Sequence, residues 1–465
     1  MVLLVTTIGA FMSPFDGSVV TIAIPSIASS IKLGLESAVW IPLAYLLFLT
    51  LLLINVGRLA DLHGRKRFYT FGFALFTVGS ILCGLSTSDV QLISFRALQG
   101  IGAAFIAANS TAIVTDVFRT EGRGGALGIN TMAVYSGLTV GPVLGGFLVQ
   151  AFGWRSIFFV NVPIGILVIT LVTLKLRQNP PNALGAKFDL PGAATLSVAL
   201  ASSLILLTLG GIYGWFSTRT LILAALSLTS FLVFLRIERH SPYPTLDLSL
   251  FSKNRLFAAA NGTAFLSYVA VIGVTLTIAI YLETIKGLSP EITGLYLTAQ
   301  ALPMALCSPL SGWLSDRFGS RTLATIGMGC VTLGLFLFSG LNAESSGLDV
   351  TLRLVIVGIG FGFFSSPNTS AVMGSVRKEK LGVASGTLGT MRFMGQSIGL
   401  AMLGAVMATT LSPQALLTVF TSLTSQGGVV TSEFVLGMRT FFLIATGMAA
   451  LGTLASTTRG RENIY

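Results

Sequence analysis

Apolar runs of about 18 residues or more recur along this chain, from Val2–Ile24 to Phe434–Ala455, and a run of that length crosses a bilayer as a helix. Fourteen can be placed, among them Val39–Leu59, Ala126–Ala151, Leu190–Gly210 and Leu221–Leu235. Hydrophobic residues make up 53% of the chain and charged residues 10%, with a mean hydropathy of +0.85. A soluble chain carries roughly 25% charged residues. The sequence therefore predicts an all-α integral membrane protein, because only helices or closed barrels satisfy their backbone within lipid. It offers no catalytic cluster and no metal or cofactor site. Cys83, Cys307 and Cys330 fall inside runs without ligand spacing, and His63 and His240 lie apart in loops. No Gly-x-x-x-x-Gly-Lys-Ser/Thr loop or His-Glu-x-x-His pair is present, which argues against an ATP-driven pump and a membrane hydrolase.

The run Leu221–Leu235 is short, and extending it backwards takes in Arg219. Parity supports it. Lys175, Arg177 and Lys187 precede the pair of runs at 190–235, and Arg236, Arg239, Lys253 and Arg255 follow it, so both basic clusters face the cytoplasm only if the chain crosses twice or not at all. With both termini inside, external loops hold only Lys32, Arg155, Arg219 and Lys286. The net charge of +11 is then a positive-inside bias, not a nucleic-acid footprint. The first run lacks a basic leader and a small-residue cleavage site, and reads as a retained span.

Between the second and third runs, Gly57-Arg58-Leu59-Ala60-Asp61-Leu62-His63-Gly64-Arg65-Lys66-Arg67 returns, degraded, as Gly312-Trp313-Leu314-Ser315-Asp316-Arg317-Phe318-Gly319-Ser320-Arg321. Asp89-Val90, Gly100-Ile101-Gly102 and Asn109-Ser110-Thr111-Ala112 return as Asp349-Val350, Gly358-Ile359-Gly360 and Asn368-Thr369-Ser370-Ala371. Two halves of like orientation follow. They are a six-helix bundle over 1–176 and another over 258–465, separated by two inserted helices over 177–257. Asp189 is placed to cap the first inserted helix, with Pro191 in its first turn.

Four further segments are Phe15-Asp16-Gly17-Ser18-Val19-Val20-Thr21-Ile22-Ala23-Ile24-Pro25, Arg96-Ala97-Leu98-Gln99-Gly100-Ile101-Gly102-Ala103-Ala104, Gly137-Leu138-Thr139-Val140-Gly141-Pro142-Val143-Leu144-Gly145-Gly146, and Gly153-Trp154-Arg155 leading to Phe158-Phe159-Val160-Asn161-Val162-Pro163. With the repeated loop they resemble, over nearly the whole chain, the fourteen-span drug:proton antiporter branch of the major facilitator superfamily. Thr21 stands where that branch usually has Asn, and Leu62 where it often has a basic residue. The resemblance implies an inner gate around Gly57, Asp61, Gly64, Arg65, Asp116 and Asp316. There Asp61 bonds to the start of the eleventh core span in the outward-facing state, and Asp116 pairs with Arg65. It also implies an antiporter seam along Gly137, Gly141, Pro142 and Gly145.

The residues carry readings of their own. Glycines at 137, 141 and 145 form one stripe that admits a close neighbour, and Pro142 removes a backbone donor. Gly124 falls in the preceding loop, where a methyl should be tolerated. Asp16 is the one acid well inside a run, about 21 Å along its helix from Val2. Thr6, Gly9, Ser13, Asp16 and Val20 share its helical face, which is expected to look into a central cavity. Removal from water disfavours the ionised form of a carboxyl, as a proton carrier requires; the alternative is a standing pair with Arg96. Arg96 lies close enough to its external end to snorkel, whereas Arg392 sits deep in its run and Arg353 and Arg439 near external ends are anchors. Glu283 is an interfacial acid and a second candidate proton carrier. The expectation is a monomeric exporter in the cytoplasmic membrane that exchanges protons for a small amphipathic substrate. In it Asp16, Arg96 and Arg392 serve coupling and substrate; an uptake symporter or uniporter on the same fold is the alternative.

Overall fold

The computed structural model describes residues 1–31, 35–118, 122–176, 187–412 and 428–459; Lys32 and Arg177, used in the charge count, lie outside them. Among the described residues the chain is helix and turn without a strand. The first half comprises α1 (Val2–Ile31), α2 (Leu35–His63), α3 (Arg65–Leu85), α4 (Asp89–Val117), α5 (Arg123–Phe152), and the broken pair α6 (Ser156–Phe159) and α7 (Asn161–Lys175). Then come α8 (Leu190–Tyr213), α9 (Thr218–His240) and the short α10 (Ser249–Ser252). The second half is α11 (Arg255–Ile280), α12 (Pro290–Phe318), α13 (Ser320–Phe338), α14 (Gly347–Gly374), α15 (Leu381–Thr410) and α16 (Gly428–Thr457).

Thirteen of the described helices, with α6 and α7 counted together, are long and apolar enough to cross a membrane. The other long helix, α12, has span length but is diluted by Thr293, Thr298, Gln300, Ser308, Ser311 and two internal prolines, Pro303 and Pro309. The helices overrun the hydropathic runs by several residues, because the terminal turns at the interface are polar. Asp61 thus belongs to the last turn of α2, and the short run 221–235 becomes the 23-residue α9, with Arg219 in its first turn over the Tyr213 ring. Asp189 caps α8 by accepting from the Gly192 N–H, and Pro191 follows in the first turn, as the spacing predicted.

The first half packs α1 on α5, α3 on α4 and α2 on α4; the second repeats this with α13 on α14, α12 on α14 and α11 on α15. Two seams join the halves, α5 against α12 and α2 against α15. The inserted hairpin α8–α9 rests on α2 and α15 through α8. Each half holds its own apolar core, one around Tyr69, Phe73 and Phe76, the other around Phe338, Phe361, Phe441 and Phe442.

Candidate functional site

Asp16 lies near the middle of α1, and in the structure it is enclosed: its residue is 1% exposed, and donors from α4 and α7 take both oxygens. Arg96 Nη1 donates to Oδ2 at 2.5 Å, and Gln99 Nε2 and Asn161 Nδ2 each donate to Oδ1 at 2.9 Å. Arg96 and Gln99, three apart on α4, face the same way and bond each other at 2.6 Å. The guanidinium also sits over the Tyr45 ring, 4.3 Å from its centroid, and the Tyr45 hydroxyl meets Ser13 Oγ at 2.5 Å. Two expectations are corrected here. The small-residue face of α1 turns into the first half rather than to an open path, since Gly9 abuts Tyr69, Phe73 and Ile106. Arg96, fully buried, does not snorkel, because Asp16 neutralises it in place.

The glycine stripe of α5 is pressed against this same α1. A methyl on Gly137 would meet the Phe11 carbonyl, on Gly141 the Ser18 side chain, and on Gly145 Val19. Ser18 Oγ donates to the Gly137 carbonyl at 3.3 Å. Pro142 lies on the outer side of an unbroken helix.

At the charged-loop end, Asp61 accepts from the backbone N–H groups of Gly382 and Val383, at 3.0 and 3.1 Å, and so caps α15 of the other half. Arg65 bonds Asp61 Oδ1 at 2.7 Å and the Lys378 carbonyl at 2.7 Å, and its Nη1 lies 3.4 Å from Asp116. Lys378 completes the group, 2.9 Å from Asp116. Close approach makes this possible. Gly57 and Gly382 touch backbone to backbone, so that a Cβ on either would strike the other's carbonyl. Gly64, at φ 102°, breaks α2 from α3 in a conformation that L side chains resist.

The pseudo-repeat builds the same joint. Asp316 accepts from Gly124 N–H at 2.7 Å and Gly125 N–H at 3.1 Å, capping α5, while Gly124 and Gly312 meet backbone to backbone. Gly124 is therefore not in a loop, and the expectation that a methyl there would be tolerated is overturned. Asp316 is exposed and has no ion pair among the described residues; Arg317 turns instead over Trp313.

Arg392, on α15, donates to Thr369 Oγ1 at 2.6 Å and lies 5.8 Å from the Tyr268 ring centroid. Arg353 pairs with Asp349, and Arg439 is exposed. Glu283 sits half-buried in the turn Tyr281–Ile285 that ends α11. Gln99 and Asn161 were given no role from sequence. The i, i+3 spacing from Arg96 could have signalled Gln99, but Asn161 reaches Asp16 across 145 positions and has no local signal.

Residues 6–400 match the family described as Major Facilitator Superfamily. The chain is 36% identical over 413 residues to "Multidrug resistance protein Stp" of Mycobacterium tuberculosis, covering 89% of this chain and 76% of that one. It is 35% identical over 412 residues to "Riboflavin transporter RibZ" of Clostridioides difficile, covering 89% of each. The solved human organic anion transporter MFSD10 superposes with a TM-score of 0.67 at 15% identity, covering 98% of both chains, which speaks to fold alone. On this evidence the chain is a multi-pass transporter of small molecules rather than an enzyme, and belongs to the Major Facilitator Superfamily.

Proposed function

We propose that this transporter exports amphipathic compounds from the cytoplasm in exchange for protons, with Asp16 as the proton-binding group. The observation that carries this reading is the buried Asp16–Arg96 pair. Protonating Asp16 cancels its charge and leaves Arg96 buried without a counter-ion, which is unfavourable in a low-dielectric interior. Such a penalty is relieved only by rearranging α1, α4 and α7, and α1 is the helix clamped by the Gly137–Gly145 stripe. Proton binding therefore acts directly on the packing of the first half. Substrate reaches Asp16 only after that rearrangement, since the carboxylate is enclosed in this state.

In this reading the halves 1–176 and 258–465 rock about the path between them, in the cytoplasmic membrane, as a monomer embedded in lipid with both termini inside. The joints at Asp61 and Asp316 then close the cytoplasmic end, which makes the present conformation outward-facing or occluded. The name of one relative, a riboflavin transporter, keeps open a second reading: uptake, or uniport, of a metabolite on the same architecture.

Everted vesicles separate the two. With an acidic interior, export predicts that adding ethidium releases protons from wild-type vesicles but not from vesicles bearing Asp16→Asn. Proton exchange by Asp16→Asn at wild-type abundance would move coupling to another group, Glu283 or Asp116 first.

A further inference from the structure

Among the described residues two arginines lie deep within membrane-spanning helices, Arg96 of α4 and Arg392 of α15, and Asp16 is the one carboxylate placed likewise; the buried Arg459 lies past the end of α16 and donates to Asn368. Asp16 is committed to Arg96, and the other carboxylates with described side chains sit near helix ends, in turns or in linkers, including Glu283, Asp316, Glu344, Asp349 and Glu379 in the second half, while Glu433, early in α16, accepts from Ser412. Arg392, the twelfth residue of the 30-residue α15, is left with no acid at ion-pair distance among the described residues. Its Nη2 has only the neutral Thr369 hydroxyl, and its Nε is buried without a partner. The side chain itself is only half-buried, so the charge remains reachable.

The surroundings are aromatic and lie where the halves meet. Tyr268 of α11 and Tyr135 of α5 both stand edge-on to Phe361 of α14, with centroids 5.2 and 6.0 Å away. The Tyr135 hydroxyl meets Ser365 Oγ of α14 at 3.0 Å across the seam. An uncompensated cation inside a membrane protein marks a ligand or ion path. A guanidinium with free donor positions fits a planar carboxylate, and ring edges and faces fit another ring.

We propose that Arg392 receives the acidic group of a transported molecule, and that the substrates include aromatic anions whose ring lies against Tyr268, which the buried Phe361 backs. This deepens the exporter reading and rests on it. It also assigns the two arginines different work: Arg96 answers to a resident carboxylate, and Arg392 to a carboxylate that the substrate brings. A cationic ring at the same place would be repelled, so charge separates substrates at this position.

The test uses two xanthene dyes of opposite charge, fluorescein and rhodamine 6G, and the full chain in lipid nanodiscs, with binding read by fluorescence polarisation. Wild type should bind fluorescein. Arg392→Gln should weaken that binding about tenfold or more, as loss of a hydrogen-bonded charge implies. Arg392→Lys, which keeps the charge without the fork, should lose less. Rhodamine 6G binding should be unchanged or tighter in Arg392→Gln. Fluorescein binding by Arg392→Gln equal to wild type overturns the proposal, and so does an equal loss of both dyes, which would make Arg392 a packing residue. If wild type pumps rhodamine 6G against a proton gradient but does not bind fluorescein, the exporter reading stands and this inference falls. If it neither pumps nor binds either dye, both fall.

Discussion

Asp61 and Asp316 make the same joint from opposite halves. Each ends a helix, α2 or α12, and accepts two successive backbone N–H groups from the first turn of a helix in the other half, α15 or α5. Each is preceded four residues earlier by a glycine, Gly57 or Gly312, that lets the paired backbones touch. A carboxylate at a helix N-terminus gains from the orphan N–H groups and from the helix dipole. The joints differ in burial. Asp61 is 1% exposed and shares Arg65 with Asp116, while Asp316 is exposed.

Asp61→Asn should therefore cut the initial rate of ethidium efflux by about tenfold or more, because it also leaves Arg65 short of a partner in a buried place. Asp316→Asn should cut it by roughly two- to threefold, as expected for an exposed charge. Efflux from cells matched for protein abundance checks the ranking, and equal wild-type rates for both would reduce the loops to topology signals.

Gly141→Leu should abolish export, since even a methyl there meets Ser18 and a larger group forces α1 from α5. Gly124→Ala should also impair it, by pushing on the Gly312 backbone. Gly146→Ala is the matched control, with open space around its Cβ position. Vesicle efflux at equal insertion decides it; wild-type transport by Gly141→Leu would return the stripe to ordinary packing.

Asp16→Glu should retain part of the proton-coupled efflux, because the charge survives but moves by about one methylene in a site with three fixed donors. Asp16→Asn should retain none. Proton release from everted vesicles on addition of ethidium reads both, and the reverse order would place coupling elsewhere.

Reporter fusions after Ser217 should read external and fusions after His240 internal. If both read internal, α8 and α9 do not cross, and the inserted hairpin lies along the surface.

The Asp247–Lys380 bond, at 2.5 Å, ties the linker after α9 to the turn that leads into α15. Partial burial works against the Asp247 charge, but Lys380 and the Ser249 hydroxyl and amide outweigh it and hold the carboxyl below its ordinary 3.8. A carboxyl lowered on folding contributes stability above its unfolded value and loses it as pH falls through the folded one. The tie should thus be constant from neutral pH down to about 4. Asp247→Asn should make linker exchange faster by hydrogen–deuterium exchange at pH 7. A change in wild-type protection factors between pH 7 and 5, after correction for the intrinsic pH dependence of amide exchange, would contradict this account.

The repeated loop was legible because its chemistry is local: a glycine, an acid and a second glycine at fixed steps serve any helix that must end, turn and grip a neighbour. The stripe of Gly137, Gly141 and Gly145 was legible for the same reason. Helical spacing also put Asp16 on one face with Thr6, Gly9 and Ser13. It could not say which way that face points, because a half-bundle interior and a substrate path are both lined by small polar groups. Asn161 was silent, since its partner lies on another helix. Gly124 was misplaced because hydropathy ends a helix where polarity begins, one turn before the backbone does.

The helix that carries Asp61 is not free of the inserted pair. Asn55 Nδ2 on α2 donates to Ser197 Oγ at 2.9 Å and more weakly to the Ala193 carbonyl, both on α8. In the rocking motion proposed above, a tilt of α2 that releases α15 would carry α8 with it, and α9 through α8. Only 11% of the apolar window of α9 is buried within the protein, leaving Leu221, Leu228, Leu232 and Val233 to the surrounding acyl chains. Hydrophobic mismatch costs fractions of a kcal/mol per Å. On the proposed mechanism, bilayer thickness and lateral pressure would thereby enter the turnover rate through a hairpin set apart from Asp16 and Arg392.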